Sequence, residues 1–132
     1  MPRIERSSAV VTALVAATAF LALPTLGAAK SVEGRYVAFG PGNWSCADVV
    51  AVADGNHPGS RGRLDGFIAG YLTAGNVILR NTYDLQAGQP ASAAKEAVLA
   101  FCAENPGIKL ANALAAYTQR QYPDRRSVPP QP

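Results

Sequence analysis

The chain reads as an all-α protein: a single small bundle of about four helices, stapled by one disulfide and preceded by an N-terminal signal peptide. Three observations predict this. Residues 61–80 carry Leu64, Phe67, Ile68, Tyr71, Gly75, Ile78 and Leu79 at spacings of three and four, the stripe of an amphipathic helix. Segments 91–104 and 108–121 repeat that pattern, and the two cysteines, Cys46 and Cys102, fall in the first and third predicted helices. With 132 residues, 48% apolar and 16% charged, the chain fills one core and not two.

Residues 1–29 have the layout of a secretory signal peptide. Arg3 and Arg6 precede an uncharged, mostly apolar run over 9–23, and Pro24 with the small residues up to Ala29 supplies the cleavage region. A run of 15 residues is short of the roughly 20 that a membrane span needs. Cleavage after Ala29 is the expectation, with no stable membrane span left in the mature chain.

Residues 30–44 form an extended N-terminal segment, with a short extended piece over 36–39 and a turn at Gly40-Pro41-Gly42-Asn43. Ser45 and Asp48 make a capping box: the Ser45 hydroxyl accepts the Asp48 amide and the carboxylate reaches back. A first helix over 46–53 follows, and the glycines and Pro58 within 54–59 stop it. Ser60 then caps the second helix, over 61–80, with Asp65 as a helix-start charge.

Within that second helix Gly66, Gly70 and Ala74 lie one turn apart, flanked by Phe67 and Tyr71. Each internal glycine costs about 0.5 to 1 kcal/mol relative to alanine, so the strip is expected to receive another backbone or an aromatic ring, as a packing seam or a binding groove. A polar connection leads to the third helix, 91–104, with Pro90 near its first turn and Ala94, Val98, Phe101 and Cys102 on one face. Asn105-Pro106-Gly107 ends it. The last helix, 108–121, turns Leu110, Ala113, Leu114 and Tyr117 inward, completing a helical domain over 45–122. Residues 123–132 are read as a flexible tail, its Arg125-Arg126 pair serving solubility.

Export makes a disulfide between Cys46 and Cys102 the expected state, with two free thiols as the alternative; no Cys-x-x-Cys redox motif is present. Closing the loop from 46 to 102 is worth about 4 kcal/mol in the chain-entropy model, a large share of the stability of so small a domain.

The residue inventory points away from catalysis. His57 is the one imidazole and sits in a glycine and proline loop, a setting for a solvated, pH-responsive group more than for a general base. No Gly-x-Gly-x-x-Gly, Walker loop, Gly-x-Ser-x-Gly elbow or His-Glu-x-x-His occurs, and no pair of carboxylates has a spacing that joins them for acid–base work. Histidine-rich or all-thiolate metal cages are excluded by composition, and no cofactor is expected. Without residues 1–29 the chain keeps ten basic and eight acidic side chains, a net charge of +2, too mild to announce a nucleic-acid binder.

Trp44-Ser45-Cys46-Ala47-Asp48, a long helix, then Phe101-Cys102 before a final helix resembles the HdeA/HdeB family of small periplasmic acid-stress chaperones, over residues 43–122. Gly70 to Ala74, Thr82 to Asp84 and Cys102 to Pro106 are also similar to signatures of a broader set of exported proteobacterial proteins. The first resemblance implies a soluble periplasmic, non-enzymatic protein. In that family acid protonates carboxylates, loosens a folded homodimer and exposes apolar surface that holds unfolding periplasmic proteins. The charges permit this, since neutralising eight carboxylates lifts the net charge from +2 toward +10 and favours opening. The central Gly70-Tyr71 and Asn105-Pro106 also resemble small exported immunity proteins that block peptidoglycan amidases, which implies one specific protein partner; a purely structural envelope protein is the remaining alternative.

Overall fold

The computed structural model describes residues 35–132; the expected signal peptide and its cleavage site lie outside the described residues. Residues 36–132 form one unit built on four helices, α1 (Cys46–Asp54), α2 (Pro58–Ile78), α3 (Ala91–Glu104) and α4 (Leu110–Gln121). Single 3-10 turns at Gly40–Asn43 and Tyr122–Asp124 flank the bundle, and no strand occurs among the described residues. The all-α, four-helix expectation holds.

Local chemistry explains most of the boundaries. The Ser45 hydroxyl accepts the Asp48 amide at 3.1 Å, and the Asp48 carboxylate accepts the Ser45 amide at 3.3 Å, so the capping box forms as read. Helix α2 starts at Pro58, three residues ahead of the expected start. Proline at the first helical position gives up an amide that would have had no partner, and Ser60 therefore lies inside the helix instead of capping it. Its last turn closes with the Leu79 amide on the Gly75 carbonyl at 3.0 Å. Helix α3 spans the expected residues, and Asn105 ends it by donating its side-chain amide to the Phe101 carbonyl at 2.8 Å.

Helix α1 packs chiefly on α3, α3 on α4, and α2 lies against α1 and α3. The shared core consists of Val49, Leu64, Ile68, Leu72, Leu85, Ala94, Val98, Leu110, Ala113, Leu114 and Tyr117 with both cysteines. Trp44, Phe67, Tyr71 and Phe101 are half-buried around it. The largest fully buried side chains are leucines and an isoleucine. The face of α2 that turns inward differs from the expected stripe: Leu72 belongs to it, whereas Ile78 is 75% exposed.

The segment before α1 is fastened to α4. The Leu110 amide donates to the Trp44 carbonyl at 3.0 Å, the Cys46 amide to Ile108 at 2.7 Å and the Ala47 amide to Pro106 at 3.0 Å. The Cys46 and Ala47 bonds satisfy amides of α1 that its own helix leaves unpaired, and the Leu110 bond does the same for α4. At Gly42 the ring of Phe67 comes so close that a Cβ built there would lie 2.6 Å from its Cζ, which is why this turn carries glycine.

The stretch from 123 onward is not a simple tail. It forms a 3-10 turn and then a bridge from Arg126 to Asp84, so the chain remains engaged with the fold as far as Arg126. The expectation that nothing packs after Tyr122 is corrected to that extent. Its physical reason is nonlocal, since the Arg126 carbonyl accepts the amides of Tyr83 and Asp84, more than forty residues earlier in the chain.

Candidate functional site

The cysteines occupy the centre of the fold. Cys46, at the first residue of α1, and Cys102, near the end of α3, are both fully buried with their sulfurs 2.11 Å apart, a disulfide as expected. The link joins α1 to α3 across the core and leaves α2 and α4 held by noncovalent contacts.

The glycine strip is brought together but does not pack. Gly66, Gly70 and Ala74 are exposed, and a Cβ built at either glycine meets nothing within 4 Å. The expected close approach of a backbone or ring is therefore absent there. The reason is angular: the buried residues Leu64, Ile68 and Leu72 define the inner face, and positions two residues on from each lie about 200° round the helix. Phe67 and Tyr71 are half-buried instead, Phe67 against Gly42 and the Tyr71 hydroxyl 3.5 Å from the Thr118 hydroxyl. The close-packed glycine of α2 is Gly75, whose built Cβ would lie 3.2 Å from Leu85 Cδ2.

His57 is exposed at the N-cap of α2, and its side chain makes no capping bond. Asp65, expected as a helix-start charge, lies two turns into α2 and pairs with Lys95 of α3 at 2.7 Å. This ion pair borders a hollow of about 190 Å³ that is also lined by Ile68, Ala91 and Ser92. The Asp65 side chain is 52% exposed, so the pair contributes at most about 1 kcal/mol.

Three features lie outside the sequence expectations. The Gln86 side-chain amide and the Tyr117 hydroxyl bond to each other at 2.8 Å, a buried polar pair joining the α2–α3 connection to α4. Leu85, the apolar residue in that connection, is fully buried. Val37, Phe39, Val77 and Ile78 are all at least 75% exposed, placing apolar side chains on the surface at the start of the unit and at the end of α2. A lone leucine in a polar stretch was the signal available for Leu85; the polar pair had none.

Among the described residues no three histidine, cysteine or acidic side chains come together as a metal site, and every buried side-chain polar atom has a hydrogen-bond partner. No helix among them is long and apolar enough to cross a membrane. No protein-family model matches the chain, and neither a curated protein nor a solved structure matches it.

Proposed function

We propose that this chain is an exported, non-enzymatic binding protein that opens in acid and holds unfolding proteins on apolar surface, in the manner of HdeA/HdeB chaperones. The observation that carries the reading is the asymmetry of its fastening. The disulfide fixes α1 to α3, whereas α2 is held to α3 by apolar contacts and the half-exposed Asp65–Lys95 pair. The carboxylates of Asp48, Asp65 and Asp84 accept from the Ser45 amide, from Lys95 and from the Gly88 amide, all near the surface. In acid the chain as a whole loses its negative charge while the basic side chains remain charged and repel one another, which favours opening.

Displacement of α2 would uncover Leu64, Ile68 and Leu72 beside Val77 and Ile78, which are exposed already. Opening would stop at the α1–α3 pair, because the covalent link survives acid. Such a state has apolar surface for a client and a fixed nucleus from which to close again.

The test is far-ultraviolet circular dichroism with hydrophobic-dye binding on the oxidised chain from pH 7 to pH 2, paired with an aggregation assay on an acid-sensitive client. Reversible dye binding below about pH 3, the range in which carboxylates are protonated, together with client protection is expected. A domain that binds no dye at pH 2, or that opens and protects nothing, refutes the reading. Either result would favour one specific protein partner bound at neutral pH, as in the immunity-type reading.

A further inference from the structure

We infer that residues 123–126 are a latch that holds the α2–α3 connection closed over the core, and that its release uncovers apolar surface at the C-terminal end of α2. The connection has little local reason to be ordered. Both Asn81 and Ala87 stand at positive φ, 49° and 53°, a conformation that side chains disfavour. Asp84 closes part of it, its carboxylate accepting the Gln86 amide at 2.9 Å and the Gly88 amide at 2.6 Å.

Gln86 is bonded to Tyr117 of α4 and Leu85 to Asn76 of α2, and the chain after α4 fastens the outer part of the connection. The Tyr83 and Asp84 amides donate to the Arg126 carbonyl at 2.8 and 3.1 Å, and the Arg126 amide returns a bond to the Asp84 carbonyl at 2.9 Å. Arg125 donates from Nε to the Asn81 carbonyl at 3.1 Å while its guanidinium stacks 3.7 Å from the Tyr122 ring centroid. The Tyr122 hydroxyl donates to the Arg80 carbonyl at 2.9 Å. The Arg126 guanidinium lies over Gly88, where a built Cβ would be 2.7 Å from Nη2.

The connection that the latch holds carries an apolar residue into the core. Leu85 is fully buried, its amide bonded to Asn76 Oδ1 at 2.7 Å and its side chain against Gly75. Val77 and Ile78 follow Gly75 on the same helix and are 79% and 75% exposed. Lifting Leu85 therefore extends an apolar surface that is already partly open. No residue of the latch is itself buried, so it is held by hydrogen bonds and stacking and can open without unfolding the bundle. Only the use of the uncovered surface for clients rests on the acid-holding reading.

The experiment is native-state amide exchange at neutral pH, with no client present, on the full chain and on a variant ending at Asp124. In the truncated chain the amides of Tyr83, Asp84, Leu85 and Gly88 should exchange about tenfold to a hundredfold faster. Those of α1 and α3 around the disulfide should keep their rates, and dye binding should rise. Arg126→Pro, which removes the Arg126 amide and guanidinium but keeps the carbonyl that accepts from Tyr83 and Asp84, should give a smaller change in the same amides. Unchanged exchange in the truncated chain overturns the latch, and so does uniform acceleration throughout the bundle. Neither result bears on acid opening, and a lack of client protection in acid leaves the latch untouched.

Discussion

Replacing Gly66 and Gly70 with alanine should stabilise this protein. Neither glycine has positive φ, both lie inside α2, and a Cβ at either meets nothing within 4 Å. The change therefore costs no packing, while it removes the backbone freedom that glycine brings to the unfolded chain, worth about 0.5 to 1 kcal/mol per site. The double variant should gain about 1 to 2 kcal/mol, or about 4 to 16 °C in Tm for a domain of this size. Urea unfolding followed by circular dichroism at 222 nm measures it, with the slope m unchanged so that the shift in midpoint reports stability alone. A loss of stability in either single variant would refute the reasoning, because it would require something in solution to cover that face. If the strip also receives a partner, the same variants would fold more stably and bind less well.

The opposite sign is expected at Gly42. Alanine there puts a Cβ 2.6 Å from Phe67 Cζ and should cost about 1 to 3 kcal/mol by urea melting, with much of the loss recovered when Phe67→Leu removes the ring. Tyr117→Phe strands the buried Gln86 amide and should cost about 1 to 3 kcal/mol; adding Gln86→Leu should return part of it, and strict additivity of the two would show that the pair is not coupled. The double variant Cys46→Ala with Cys102→Ala should lose about 4 kcal/mol in thermal or urea unfolding, and dithiothreitol should reproduce the loss in the native chain.

Where a helix announced itself by local chemistry, the sequence was enough. The Ser45–Asp48 box, the stop at Asn105-Pro106 and the inward face of α4 depend on neighbours within a turn or two, and all appear as read. Pro58 in its glycine-containing loop predicts a break, because proline ends helices from within, yet at the first helical position it begins one. The glycines of α2 blurred its periodicity: they suggested a packed strip on the side that faces solvent, and they hid Leu72 from the core stripe. The seating of Leu85, the Gln86–Tyr117 bond and the docking of Arg126 are agreements between distant segments, each of which is locally unremarkable. No window of sequence contains both halves of such a contact.

The Cys46–Cys102 link also governs how the molecule matures. A chain with two cysteines has one intramolecular pairing open to it, so oxidation cannot trap it in a wrong connectivity. In the folded chain the Ile108 and Pro106 carbonyls accept the first amides of α1, so the packing that seats Cys46 beside Cys102 also ties α1 to the turn between α3 and α4. Maturation therefore calls for an oxidant and gains nothing from a catalyst of disulfide shuffling. Closing the loop between the two cysteines is far faster than thiol oxidation, so the oxidant, and not the meeting of the two ends, sets the pace.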